Sequence, residues 1–319
     1  MKQKVLVTGA AGFIGSNLVE RLLSMSYEVV GLDNFDDFYA PAIKRSNVRA
    51  LIKKGGFQII EGDIRDTSLL SRLFSENRID VVIHLAARAG VRTSLSQPLL
   101  YQDVNVGGTV NLLETSRAHN VEQFLFASSS SVYGSNGKAP FEETQQINPI
   151  SPYAASKAAA EQFCSTYSRL YHMPVVALRL FTVYGPRQRP EMAIHKFVDM
   201  VNHDQEVILF GDGISKRDYT NVDDIVAGFM LALAHPEKDF SVFNLGRGNA
   251  VDLRYLLSLI EEALGKKARV RRLAMQPGEV PLTIASIAKA RNILGYQPRI
   301  GVEEGVPMFV KWYLGNRRQ

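Results

Sequence analysis

Tyr153 and Lys157 stand four residues apart in Ser151-Pro-Tyr153-Ala-Ala-Ser-Lys157. They follow a proline and open an apolar helical stretch, so both side chains share one helix face. An ammonium beside a phenol stabilises the phenolate and lowers its pKa from about 10, which makes the tyrosine a usable proton acceptor near neutral pH. The same spacing occurs on many solvated helices, so the pair needs a partner. Phe124-Leu-Phe-Ala-Ser128-Ser129-Ser130-Ser131 offers one: a buried strand runs into a serine cluster at its carboxyl end, where ligands of open α/β sheets bind. A serine run also reads as a loop that satisfies its own backbone. The Tyr-Lys pair, together with a glycine turn near the N-terminus, favours a site.

That turn is Thr8-Gly9-Ala-Ala-Gly12-Phe13-Ile14-Gly15, between the apolar run starting at Val5 and a helix whose apolar face continues through Leu18, Val19, Leu22 and Leu23. Gly9 permits a tight turn, Gly12 lets the backbone approach a pyrophosphate, Gly15 lets the helix pack on the strand, and the helix N-terminus favours negative charge. The spacing is GxxGxxG, and a merely tight βα turn would carry the same glycines. Asp33, in Gly31-Leu-Asp33-Asn34, ends the second strand about twenty residues on, where a carboxylate accepts hydrogen bonds from an adenosine ribose and repels a 2′-phosphate. This favours NAD over NADP, with capping of the next segment as the lesser reading of Asp33. Asp63, after Glu61-Gly62, reads as an adenine contact or a cap with equal weight.

The elements that must position these residues alternate. Strand-like runs start at Val5, Glu28, Phe57, Val81, Phe124 and Val175, with helix-length segments between them. Right-handed βαβ crossovers and a parallel sheet covered on both faces follow. The expected fold is α/β, a doubly wound, Rossmann-like parallel sheet with a smaller C-terminal lobe. The sheet domain should span 1–180 and be re-entered near 222–250, leaving 181–319 as the substrate-binding lobe, because Gly185, Pro186, Pro190, Gly211 and Gly213 break the pattern after Tyr184. At 319 residues and 46% hydrophobic, the chain can build a sizeable core. One cysteine, Cys164, excludes an intramolecular disulfide or thiolate metal cluster, and no residue spacing makes a metal site. No apolar run approaches the ~18 residues that cross a bilayer, and no leader-like segment stands at the start, so a cytoplasmic protein away from membranes is expected. The charge of +5 fits an anionic ligand and weak nucleic-acid adsorption equally well, so charge alone decides nothing. The basic run Lys266, Lys267, Arg269, Arg271 and Arg272 lacks interleaved aromatics and reads as a solvated surface, not a nucleic-acid site. His84 reads as a packed residue and Cys164 as buried filler.

Taken together, Thr8-Gly-x-x-Gly-Phe-Ile-Gly15, Ser129 four residues before Tyr133, and Tyr-x-x-x-Lys resemble the extended short-chain dehydrogenases that act on nucleotide sugars. The chain is most similar, within that family, to the UDP-glucuronate 4-epimerases, through Asp33-Asn-Phe-Asp-Asp-Phe-Tyr39, Ala89-Gly-Val-Arg92, Phe181-Thr-Val-Tyr-Gly-Pro-Arg187-Gln-Arg189-Pro, Arg217-Asp-Tyr and Met275-Gln-Pro-Gly-Glu-Val-Pro281. Ser286 departs from the aspartate that similar sequences carry. The resemblance implies NAD held by Gly9, Gly12, Phe13, Ile14, Gly15, Asp33 and Asn34, then Asp63 and Ile64, then Leu85, Ala86, Ala87 and Ser128, with Tyr153 and Lys157 completing the contacts. It further implies that Tyr153 removes the sugar 4-hydroxyl proton while hydride leaves C4 for the nicotinamide, that Ser129 holds the C4 oxygen, and that Lys157 holds the nicotinamide ribose. The 4-keto sugar swings about its diphosphate link and hydride returns to the opposite face. Relatives that dehydrate or decarboxylate the sugar carry an acidic residue just after the serine; here Ser130 and Ser131 stand there, which favours epimerisation. Ser130, Ser131, Thr182 and Arg189 are expected at a substrate carboxylate, with Arg189 forming a bidentate pair, although an ordinary ion pair would use Arg189 equally. Arg92 is expected at the substrate, Arg217 at the diphosphate, and Gln276 and Glu279 at the uridine. A homodimer through helices near 102–118 and 153–171 is implied as well. A neutral UDP-hexose 4-epimerase, a decarboxylase and an NAD-responsive binding protein remain as alternatives.

Overall fold

The alternating apolar runs form one seven-stranded parallel sheet in the computed structural model, which describes residues 3–135, 138–211, 213, 215–237, 239–274 and 282–316. Its strands are β1 (Lys4–Thr8), β2 (Glu28–Asp33), β3 (Phe57–Glu61), β4 (Val81–His84), β5 (Gln123–Ser129), β6 (Val175–Leu180) and a late strand, Ser241–Leu245. Across the sheet they run β3, β2, β1, β4, β5, β6, then Ser241–Leu245. Strand order reverses between β1 and β4, and at such a switch point the carboxyl ends open a crevice.

Successive side chains leave a strand on opposite faces, and the core divides accordingly. Val5, Val7 and Leu125 pack with Leu18 and Leu22 of α1 (Phe13–Ser24) on one face. Leu6, Phe124 and Phe126 pack with Leu112, Leu113 and Cys164 on the other. Both faces are covered, so every residue of β5 is buried. A third cluster, with Phe197, Leu256, Ile260 and Phe309, joins the helices Ala193–Asn202, Leu253–Leu264 and Val302–Asn316 beside the sheet. The chain beyond residue 181 also returns to the sheet. Phe229 of the helix Val222–Ala234 and Ala290 of the helix Ala288–Leu294 belong to the first cluster. Ser241–Leu245 pairs with β6 along its whole length.

Gly9 has φ +70°, as a tight turn requires, and a Cβ there would lie 2.9 Å from the Ala86 nitrogen. Gly15 is constrained differently from the sequence reading. Its missing Cβ would lie 2.0 Å from the Gly9 carbonyl oxygen, so α1 closes on the turn itself and not on the strand. In the basic run, Lys266 pairs with Asp204, Lys267 with Glu261 and Arg271 with Glu206, all at the surface. Among the described residues no helix is long and apolar enough to cross a membrane.

His84 closes a buried chain of hydrogen bonds across β1, β4 and the helix Gly108–Ala118. Thr109 donates to the Asn105 carbonyl (2.6 Å), so its oxygen accepts from His84 Nε2–H (2.9 Å). Nδ1 then accepts from the Thr8 hydroxyl (2.7 Å), whose oxygen takes the Ala86 N–H (3.2 Å). Burial, with the Lys157 charge adding to it, pushes the imidazole down to about 3, so the folded chain holds it neutral. The unfolded chain binds a proton near 6.5. Stability from this group is therefore complete above that value and is lost as pH falls toward 3, by about 2 kcal/mol between pH 7 and 5. Denaturant unfolding of His84→Gln at the two pH values is expected to lack that part of the wild-type loss; equal losses in both proteins would contradict it.

Candidate active site

The carboxyl ends of β1 to β6 line one cavity of about 400 Å³. β1 ends in the Gly9–Gly15 turn, β2 in Asp33 and Asn34, β3 in Asp63 and Ile64, and β4 in Leu85, Ala86 and Ala87; all reach the cavity wall. Ser128, Ser129, Ser130 and Ser131 follow from β5, Thr182 follows β6, and Tyr153, Lys157 and Arg189 complete the enclosure.

The chemistry-bearing helix, Pro152–Tyr171, starts where Ser151 accepts from the Ala154 N–H and a proline occupies its first turn. Lys157 Nζ donates to the Ala127 carbonyl (2.8 Å) and lies over the Phe126 ring. Burial lowers this ammonium to about 8, against the opposing influence of Cys164 and Glu161. Tyr153 and Ser129 face the same cavity, and the Tyr153 ring meets Tyr101 edge to face (6.2 Å). The Tyr153 phenol is raised above the usual 10 by desolvation, which outweighs the Ser129 hydroxyl and the Arg189 charge that pull it down. The lowering that the Tyr-Lys spacing suggests is thus not what the folded chain has, because desolvation of the phenol dominates, while Lys157 Nζ is directed at the strand carbonyl. Ser129 also accepts from the Ser131 N–H (3.2 Å), capping the short turn Ser130–Tyr133. The serine cluster therefore satisfies its own backbone and faces the cavity at once.

The cofactor side has the features that a dinucleotide requires. No side chain caps the N-terminus of α1, whose residues Phe13, Ile14 and Gly15 border the cavity. Asp33 accepts from Ala11 N–H (3.0 Å) and Phe35 N–H (2.9 Å), one amide to each oxygen, so it caps and borders the cavity together. Burial raises its carboxyl, partly offset by Lys44 and these amides. Asp63 is held by Arg65 and Asn34, which lower it to about 2.

The sequence reading missed Asp36, Phe38, Tyr39, Lys44 and Arg88, all at the cavity wall. Arg88 ion-pairs with Asp36, and Lys44 donates to the Asp36 carbonyl (2.8 Å). Phe38 lies between two guanidinium groups, Arg88 at 5.2 Å and Arg189 at 5.6 Å. Arg189 also pairs with Glu191 (3.2 Å), so the ordinary ion pair and the cavity position coexist. The one available signal was the stretch from Asp33 to Tyr39, which carried a likeness without assigned roles. Arg92 is exposed and does not border the cavity, and neither does Arg217, which donates to the Lys216 carbonyl (3.0 Å). Gln276 and Glu279 lie outside the described residues.

Comparison with known proteins agrees with this geometry. Residues 6–309 match the family described as GDP-mannose 4,6 dehydratase. The UDP-glucuronate 4-epimerase of Thermodesulfobacterium geofontis is 39% identical, over 96% of this chain and 95% of that protein. A solved structure of UDP-glucuronic acid 4-epimerase from Bacillus cereus, in complex with UDP-glucuronic acid and NAD, superposes with a TM-score of 0.93 at 38% identity, covering 98% of this chain and all of that one. The UDP-glucose 4-epimerase of Thermotoga maritima, solved with UDP-glucose, gives 0.91 at 33% identity, over 99% of this chain and 100% of that one. A glycine turn, an acid at the end of the second strand and a Ser-Tyr-Lys wall, carried on a chain matched over nearly its whole length, make this protein a member of the GDP-mannose 4,6 dehydratase family of extended short-chain dehydrogenases/reductases.

Proposed function

We propose that the chain is an NAD-dependent epimerase that inverts C4 of a UDP-uronic acid, interconverting UDP-glucuronate and UDP-galacturonate through a transient 4-keto sugar. The observation that carries this reading is one cavity bordered by Ser129, Tyr153 and Lys157, by the Gly9–Gly15 turn with Asp33, and by Arg189 with Ser130, Ser131 and Thr182. NAD, when bound, supplies the hydride acceptor for sugar C4 and a cationic ring whose charge favours the Tyr153 phenolate. Tyr153 takes the 4-hydroxyl proton and later returns it. Ser129 holds the C4 oxygen, and Lys157 fixes the phenol and the neighbouring ribose hydroxyls.

The acids bordering the cavity, Asp33, Asp36 and Asp63, come from β2, β3 and their loops, away from the serine turn. Ser129 is followed by hydroxyls, which leaves elimination without an adjacent carboxyl group. A 4-keto uronic acid is a β-keto acid, and Ser130, Ser131, Thr182 and Arg189 hold its carboxylate out of the alignment that loses carbon dioxide. Arg217 is assigned to the diphosphate, and Gln276 with Glu279 to the uridine, on motif likeness. On this reading 1–180, re-entered near 222–250, binds NAD, and 181–319 binds the nucleotide sugar. The protein acts in the cytoplasm as a homodimer; exposed Leu170 (64%), on one of the helices assigned to the contact, supports the dimer.

Incubation with a panel of UDP-sugars should yield an epimer of UDP-glucuronate of unchanged mass. Mass loss by decarboxylation, or turnover of neutral hexoses alone, would overturn the assignment. Tyr153→Phe should abolish turnover while the protein keeps its cofactor. Arg189→Leu should raise KM for the uronate by about tenfold to a hundredfold, the worth of a bidentate charge-assisted pair, with a much smaller change for the neutral hexose. Equal losses on both substrates would refute the carboxylate role.

A further inference from the structure

Beneath the serine-bearing end of β5 lies an ion pair that the proposed reaction does not use. Glu161 and Arg179 are 2% and 5% exposed. They are joined twice, Arg179 Nε to Oε1 at 3.0 Å and Nη2 to Oε2 at 2.7 Å. The Ser128 hydroxyl donates to the same Oε1. Register creates this meeting point: Ser128 on β5 is the lateral partner of Arg179 on β6, so both side chains leave the sheet on one face. Glu161 comes down on them from the Pro152–Tyr171 helix, four residues after Lys157 and eight after Tyr153. One carboxylate therefore contacts the residue before Ser129 and belongs to the helix that carries Tyr153. Arg179 is backed by the Tyr133 ring (4.8 Å), whose hydroxyl donates to Asn244 (2.7 Å).

Such a pair is a poor source of stability. Desolvating two charges costs several kcal/mol, and apolar residues of similar volume often serve as well or better. A fixed distance is what it does supply. We propose that Glu161, clamped by Arg179, is a positioning residue that sets the separation between β5 and the Pro152–Tyr171 helix, and so brings Ser129 and Tyr153 onto one substrate oxygen. The inference rests on the proposed function for its rate measurement.

An electrostatic consequence accompanies the geometric one. Lys157 faces Glu161 and Cys164 on its own helix and His84 on β4, with Arg179 of β6 behind Glu161. Glu161 supports the ammonium, so its neutral replacement moves Lys157 further down, and the alkaline limb of the kcat profile moves to lower pH.

The test is steady-state kinetics and thermal unfolding of Glu161→Gln, Glu161→Asp and the double variant E161M/R179M, on the UDP-sugar that the wild type epimerises. Glu161→Gln should lose about tenfold or more in kcat with KM nearly unchanged, because misplacement by a fraction of an ångström acts on the reacting geometry. Glu161→Asp should return the alkaline limb to its wild-type position, since the charge is restored, yet stay several-fold slow because the carboxylate is one methylene short. The double variant should match wild-type stability and remain slow. A double variant that turns over at the wild-type rate overturns the proposal, since a merely structural pair is replaced by packing. Should neither of these fold, wild-type kcat in Glu161→Asp overturns it equally. Wild-type turnover separates the two readings: its absence sinks the proposed function, while a fast double variant sinks only the positioning role.

Discussion

A cation buried at the end of a strand governs this site. The Lys157 ammonium sits against the Ala127 carbonyl and the Phe126 ring, and burying a charge in that way is unfavourable unless its partners are fixed. Fixing them draws the Pro152–Tyr171 helix onto β5 and carries Tyr153, four residues earlier, to the level of Ser129. The sheet contributes through its register and the helix through its period. Neither alone would bring a phenol, an ammonium and a hydroxyl to one wall. Because β5 is an inner strand buried throughout, the wall rests on a close-packed part of the sheet.

The opposite wall is assembled from loops. Phe38, from the loop after β2, lies between Arg88, which follows β4, and Arg189, which belongs to the segment leaving β6. Arg187 adopts φ +68° and pairs with Glu20 of α1 at 2.7 Å, tying that segment to the glycine-turn helix. The strained backbone at Arg187 thus coincides with a cross-chain anchor two residues before Arg189. Functional diversity on a shared fold resides in such loops, and the substrate assignment here depends on them more than on the sheet.

What the sequence makes legible follows the same division. β3 and β6 start at Phe57 and Val175, where their strand-like runs do, because strand patterning is local information. The glycine turn, Asp33, the serine cluster and the Tyr-Lys pair are legible for a related reason: each is set by spacing within about twenty residues. Arg88, Asp36, Tyr39 and Lys44 were not legible, since their meeting depends on how two loops fold over the crevice. Nor was Asn105, which sits in the π-turn Asp103–Gly107 and ties the Arg88 backbone to Ser156. Nothing in a one-dimensional pattern joins Ser128 to Arg179 across two strands. Arg92, the motif position four residues after Arg88, is exposed and outside the cavity wall that Arg88 borders.

Isotope tracing at the sugar carbon tests the account most directly. UDP-glucuronate carrying deuterium at C4 is taken to equilibrium with the purified protein in ordinary water, and both epimers are analysed by mass and magnetic resonance. Hydride that leaves and returns within the cavity predicts deuterium retained at C4 in both epimers, with no hydrogen drawn from solvent. Loss of the label to water would mean that the carbon exchanges a proton instead, and the arrangement of Tyr153 and Ser129 would then need a different chemistry.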